Sequence, residues 1–369
     1  MTTAERISTA QLNRTLLDRQ GLLERSATPV PAMIERLAGL QAQVPSNPYV
    51  ALWSRIAGFD PSELSPLIAE KTAIRIPVMR TTIHLLTREQ AEYVVPLCAP
   101  VVAGTFRSQF RKLLGDTEPA PIVAAGRELL ESGPLTRAEI GKALLDRWPD
   151  LTFDLLGQTV AHHLPLMQVP PRGEWMASHR ATLGLVEREA GVKLDGDPAM
   201  ERLVLDYLSA FGPASTADLR NWSRLTGLKP VVDRLRPDLR IYEDEHGREL
   251  LDHPEGELTG EDLPAPPRFL PEYDNVLLGH QDRSRVLAGL GPSVPGPTGR
   301  WIGTLLAGGS FRAYWKIEDE LDPVRLTIYG FSESSSDSRG LRAEIVEEAE
   351  SLVDFIRPGS ASEVDFKTL

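Results

Sequence analysis

The chain has 369 residues, 41% hydrophobic and 25% charged, which suits a globular protein with two or more domains and a sizeable core and excludes wholesale disorder. No apolar run reaches membrane-spanning length and the opening MTTAERISTAQLNR lacks the apolar centre of a signal peptide, so a soluble cytoplasmic protein with no membrane partner is expected. A net charge of −12 argues against general attraction to polyanions, and a lone cysteine, Cys98, excludes an internal disulfide or a thiolate metal site.

The first predicted helix covers residues 10–25, with Thr9 as its cap, Leu12, Leu16, Leu17, Leu22 and Leu23 as its apolar faces and an interruption at Gly21. A second covers 31–40, where Met33, Ile34, Leu37 and Leu40 share a face and Glu35 and Arg36 point outward. It runs into Leu40-Gln41-Ala42-Gln43-Val44-Pro45, and Pro45 removes a donor and biases Val44 away from the α region, so the helix ends close to the glutamines. Residues i and i+2 diverge on a helix but share a face on extended chain, so converging both amides on one ligand requires irregular backbone. The alternative is that one glutamine caps the helix and the other is solvated.

Short helical pieces are expected at 50–56 and 61–67, before an alternating, β-branched stretch at 74–86 that reads as a strand pair or wing. Helices followed by a short hairpin are the order of a winged helix-turn-helix unit. The order recurs. Gly133-Pro134-Leu135-Thr136 opens a helix, a second helix lies near 155–163, and 166–175 is strand-like. A third copy starts at 203–208, turns at Phe211-Gly212-Pro213-Ala214, continues through 215–223 and 225–235, and closes with a hairpin around His246-Gly247. Beyond the Pro264-Ala265-Pro266-Pro267 linker, runs at 301–306, 311–317 and 324–329 read as strands, and 338–355 as an amphipathic helix. The expected fold is α+β: three tandem winged helix-turn-helix motifs over 1–118, 119–196 and 197–262, and a small β-barrel-like domain over 263–369 closed by the terminal helix.

Seven of the 40 basic residues are lysines, which favours arginine-type phosphate recognition. Arginines gather at Arg75/Arg80/Arg88, Arg172/Arg180, Arg220/Arg224 and Arg283/Arg285, while acids gather at 243–262 and 344–350. Such segregation permits a basic cleft on an acidic body.

The phrases LQAQ, PVMRTTIHLLT, LMQVPPRGEW, AFGPASTADLRNWSRLTGL, LPEYDNVLLGHQDRSR and SFRAYWKI occur in an order that spans nearly the whole chain. Together they resemble the bacterial winged-helix family of DNA glycosylases related to AlkZ, the azinomycin-resistance enzyme, and YcaQ, the interstrand-crosslink glycosylase. The resemblance implies a C-shaped body around duplex DNA, excision of bulky N7-alkylated purines and unhooking of crosslinks joined through them. The family's catalytic motif, a Gln, one residue, then Gln or Asp, matches Gln41 and Gln43. A second Gln rather than Asp is closer to the AlkZ-like branch, which carries self-resistance to a genotoxic natural product.

The chemistry suits two neutral amides. Most enzymes that hydrolyse a glycosidic bond use a carboxylate base, but an N7-alkylated purine is already cationic and leaves as a neutral base. A Gln oxygen can accept from the attacking water while its NH₂ donates to sugar or phosphate. With no lysine beside the motif to form a Schiff base, a monofunctional enzyme is expected.

Candidate DNA contacts are Arg80 and His84 in the first wing; His280, Arg283 and Arg285 beside Asp282; and Gly308, Gly309 and Arg312, read as a hairpin tip that the resemblance implies probes the minor groove. Each has a structural alternative: a satisfied histidine, a salt-bridged turn, an ordinary β-turn. The adjacent His162 and His163 lack accompanying ligands, so neither metal nor cofactor is implied. The partner is double-stranded DNA carrying alkylated purines, with a monomer as the default. A non-catalytic winged-helix DNA-binding or regulatory protein and a protein-interaction scaffold are the rival readings.

Overall fold

The computed structural model describes residues 5–194, 196, 199–287, 301–331 and 338–368. The fold is mixed α+β and, among the described residues, is organised on three separate sheets.

The expected hairpin at 74–86 forms from strands Ala73–Pro77 and Ile83–Thr87, and the strand-like stretch beginning at 166 forms Leu166–Gln168, which pairs with Thr182–Leu185. The two hairpins do not stay apart. Arg75 pairs with Gln168, so they fuse into one antiparallel six-stranded sheet, with Leu40–Gln41 at one edge and Leu135–Thr136 at the other. The third hairpin, Arg240–Glu243 with Glu249–Asp252, builds its own sheet and takes Glu5–Arg6 as a parallel third strand. Helices cover these sheets, including Thr9–Arg19, Phe153–His163, Met200–Phe211 and Thr216–Ser223.

The long helix Arg88–Gln109 begins at a capping box between Thr87 and Gln90 and buries Val94, Val95, Leu97, Cys98 and Phe106. Burial pushes the Cys98 thiol up to about 12, as befits a small apolar core residue.

The C-terminal strands Arg268–Pro271, Trp301–Ala307, Ser310–Glu318, Val324–Tyr329 and Ser362–Lys367 form an open five-stranded sheet. This corrects the expected barrel. The first and last strands do not pair, and helix Ser338–Ile356 covers one face instead. Ile345, Leu352 and Ile356 from that helix join Phe269, Trp315 and Leu326 of the sheet and Met33, Leu37, Leu40, Ala42 and Leu52 of the first helical unit in one core. The glutamine segment therefore lies where the N-terminal unit packs against the C-terminal sheet, and its apolar residues anchor it there.

Candidate active site

Helix Val30–Arg36 ends in a Schellman pattern: Gly39 N donates to Ile34 O at 2.9 Å and Ala38 N to Glu35 O at 2.9 Å, with Ala38 at φ 53° and Gly39 at φ 86°. The chain then turns into strand Leu40–Gln41, which places Gln41 opposite His84, and Ala42 N donates to Ile83 O at 2.8 Å. The backbone at Gln41 is thus extended, and Gln43 lies in the bend just past the end of the strand. Gln43 N donates to Gln41 Oε1 at 2.9 Å, and Ile83 N donates to Gln43 Oε1 at 3.1 Å. An N–H can be accepted only by the carbonyl end of an amide, so both side chains are fixed in orientation. Each oxygen keeps a second lone pair, and each NH₂ group has no partner among the described residues. Gln41 is 7% exposed and Gln43 faces solvent.

Asn275 clamps this segment from a second side. Its Oδ1 accepts from Gln41 N at 3.2 Å, while its Nδ2 donates to Leu37 O at 3.1 Å and Gly39 O at 2.6 Å. Asn275 opens the one-turn helix Asn275–Leu278, which Asp274 caps by accepting from Val276 N at 3.0 Å. The Asp274 carboxylate also receives Arg55 in two parallel bonds of 2.9 and 2.8 Å, both side chains fully enclosed. Asn47 Nδ2 donates to Glu272 O at 2.7 Å, which ties the chain beyond the glutamines to the same loop.

Arg75, 1% exposed, supplies the third support by donating Nη2 to Ala42 O at 2.8 Å. It has no carboxylate partner among the described residues, and burial, then Arg172, pulls its pKa down to about 10. The peptide between residues 42 and 43 accepts from this guanidinium at its oxygen and donates to Gln41 at its nitrogen, an arrangement in which each bond strengthens the other.

His84 is 2% exposed, with Nδ1 2.9 Å from Thr82 O and Nε2 3.4 Å from Arg80 Nη2. Burial, then Arg80, holds its pKa down near 3, so the ring is neutral and Nδ1 donates to Thr82 O. Arg80 is half-buried and donates Nη1 to Trp222 O at 2.6 Å. His280 and Arg285, expected at a DNA face, are instead enclosed: His280 Nε2 lies 3.0 Å from Phe211 O, and Arg285 donates to Pro213 O at 3.0 Å. Asp282 pairs with Arg248 at 2.7 Å, and half-buried Arg283 has no ion pair among the described residues. The Gly308–Gly309 turn has both φ values positive, as a two-residue hairpin requires. Its tip is docked: Gly309 O accepts from Asn13 Nδ2 at 2.7 Å, so the expected groove-probing hairpin rests on helix Thr9–Arg19. Gly308 and Arg312 remain exposed.

The site thus joins Gln41, Gln43 and the first hairpin, and leaves His280, Arg285 and Gly309 in the scaffold. The family model for DNA glycosylase AlkZ-like proteins matches residues 34–355, which span both the glutamines and their Asn275 clamp. The chain belongs to the AlkZ-like DNA glycosylase family. The solved structure of Streptomyces sahachiroi DNA glycosylase AlkZ shares the fold, with a TM-score of 0.77 over 98% of this chain and 100% of that one at 22% identity. No curated protein matches the sequence. Membership in the AlkZ-like family makes this chain a DNA glycosylase and hence a DNA-binding repair enzyme.

Sequence reasoning missed Asn275, Asp274 and Arg55 in this AlkZ-like site, and it grouped Arg75 with the arginines of a basic cleft, whereas Arg75 is buried. Asn275 and Asp274 stand inside the Leu270-Pro271-Glu272-Tyr273-Asp274-Asn275 phrase, but nothing in spacing links them to a segment 234 residues earlier. Arg75 lies on the opposite face of its strand from Ile74 and Ile76 yet is as buried as they are, and only its charge at a buried position marks it.

Proposed function

We propose that this DNA glycosylase hydrolyses the N-glycosidic bond of bulky N7-alkylated purines, with Gln41 and Gln43 as the catalytic pair. The observation that carries the reading is the orientation of the two amides: each oxygen is pinned by a backbone N–H yet retains a lone pair, and no carboxylate of the described residues is among their hydrogen-bond partners. The free lone pair of Gln43 accepts from the attacking water, and the NH₂ groups donate to the sugar or its phosphate. Such a pair is a weak base, so its contribution is positioning, worth on the order of 7–11 kcal/mol at most. It therefore serves a base that departs readily, and a cationic N7-alkylpurine does so without an acid.

No lysine hydrogen-bonds to the pair, consistent with a monofunctional enzyme that leaves an abasic site. Crosslinks joined through N7-alkylated purines present the same bond and would be unhooked by the same step, a chemistry suited to self-resistance against a genotoxic natural product. In this reading the segments 1–118, 119–196 and 197–262 act as three winged-helix units and, with 263–369, wrap the duplex as a C.

Incubation with a duplex carrying one N7-alkylguanine should give an alkali-labile abasic site. Gln43→Ala should lose most excision while it still binds the duplex; excision at the wild-type rate would refute the assignment. Strand scission without alkali treatment would overturn monofunctional action, and binding without excision by the wild type would favour a non-catalytic DNA binder.

A further inference from the structure

A cavity of about 680 Å³ opens between the turn of the first hairpin, the helix Arg88–Gln109 and the loop that follows Thr216–Ser223. Its charged lining consists of Arg80, Arg107 and Arg224, with no carboxylate among the lining residues. That composition is unusual in a chain with 52 acidic and 40 basic residues. Elsewhere arginines such as Arg19, Arg55, Arg236 and Arg248 hold carboxylates at hydrogen-bonding distance. Arg107 and Arg224 are exposed and make neither an ion pair nor a side-chain hydrogen bond among the described residues. Arg80, deeper in the wall, is held by Trp222 O at 2.6 Å.

Three like charges gathered without counter-charge raise the free energy of the unliganded protein. The backbone adds to this. Arg80 and Thr81 occupy consecutive left-handed positions at φ 56° and 59°, a turn that ordinarily uses Asn and Gly, and Arg224 ends its helix at φ 60°. A β-branched threonine there is a costly conformation, of the kind retained where function requires it. Thr81 Oγ1 and Thr105 Oγ1 bond across the cavity wall at 2.7 Å, and Ser108 and Thr226 bring further hydroxyls to the rim.

Arg80 connects the cavity to the hairpin that pairs with the glutamine strand. Arg80 Nη2 stands 3.4 Å from the His84 ring, and His84 is the strand partner of Gln41. An anion held by Arg80 is therefore separated from the strand that carries the amides by the Arg80 and His84 side chains.

We infer that this cavity seats two successive phosphates of the DNA backbone beside the lesion, with Arg107 and Arg224 on opposite walls and Arg80 at the base. Arginine suits this role because its planar fork can bond two phosphate oxygens at once. The contacts carry no base information; they set the register in which the damaged nucleotide meets Gln41 and Gln43. The inference rests on the glycosylase reading but concerns binding rather than bond cleavage.

The test is the salt dependence of binding to an undamaged duplex, measured by fluorescence anisotropy for the wild type, Arg107→Ala/Arg224→Ala and the exposed-surface control Arg147→Ala/Arg357→Ala. Each lost phosphate contact should reduce the slope of log affinity against log salt by about 0.9, so the cavity variant should lose about 1.8. If the two proteins converge near 1 M salt, that difference amounts to a loss on the order of 60-fold at about 0.1 M. An unchanged slope overturns the inference, and so does an equal fall in the control, because net charge rather than the cavity would then set it. A wild type that fails to bind duplex at low salt overturns both this inference and the reading beneath it. If the slope falls as expected but the wild type excises no N7-alkylguanine, the cavity stands and the substrate assignment falls.

Discussion

Replacing Asn275 with alanine tests whether the glutamine pair works by being held in place. The substitution removes one acceptor and two donors at 3.2, 3.1 and 2.6 Å and leaves Gln41 N, Leu37 O and Gly39 O without those partners. At about 1 kcal/mol for each bond, the low end for a buried group left unsatisfied, the ordered loop loses about 3 kcal/mol relative to displaced conformations. A loss of that size lowers the rate through the ordered state on the order of 100-fold. The assay is single-turnover excision of N7-alkylguanine with enzyme in excess, together with duplex affinity and urea unfolding. The expected result is a slow rate at saturation with duplex affinity unchanged, since Asn275 is buried and its side chain bonds to the protein's own backbone. Asn275→Asp keeps the acceptor but loses both donors, and should be slow as well at neutral pH. A wild-type rate in Asn275→Ala, with Gln43→Ala inactive, would refute the reasoning.

Two further predictions concern the groups behind the site. Asp274→Ala leaves the fully enclosed Arg55 charge unpaired and should lower unfolding free energy by about 3–5 kcal/mol in urea titration; a loss below about 1 kcal/mol would show that the pair is dispensable. The neutral His84 ring makes stability pH-dependent: the unfolded chain takes up its proton near pH 6.5 while the folded protein resists until about 3, so stability is complete above 6.5 and falls as pH drops through that window. The slope approaches about 1.4 kcal/mol per pH unit from His84, with His280 acting in the same direction through its burial and Arg285. His84→Gln should therefore flatten the thermal-stability profile between about pH 6.5 and 5, and an unaltered profile would refute the neutral assignment.

The elements legible in the sequence are those encoded by neighbours. The first hairpin appears where alternation and β-branching place it, and helices Phe153–His163, capped by Thr152, and Met200–Phe211 follow apolar spacing. Other elements were hidden, two of them instructively. Arg88–Gln109 carries Pro96 and Pro100 inside it, and those residues read as breakers although the surrounding core holds the helix together. Thr182–Leu185 is too short to declare itself and becomes a strand because Leu166–Gln168 offers it a ladder.

For function, the sequence by itself placed two glutamines one residue apart with no carboxylate between them, and the order of its phrases implied the family that the 34–355 match establishes. Only the tertiary structure decided how the amides are held. Strand pairing with Ile83–Thr87 set the extended backbone, and Asn275, Arg55 and Arg75 became supports through long-range contacts. It also kept the C-terminal sheet open and buried His280 and Arg285, whose polarity on paper suggested a surface. The physical reason is range: helical spacing, caps and turns are interactions among residues a few positions apart, whereas the clamp on Gln41 comes from a side chain 234 residues away, and no local pattern encodes that meeting.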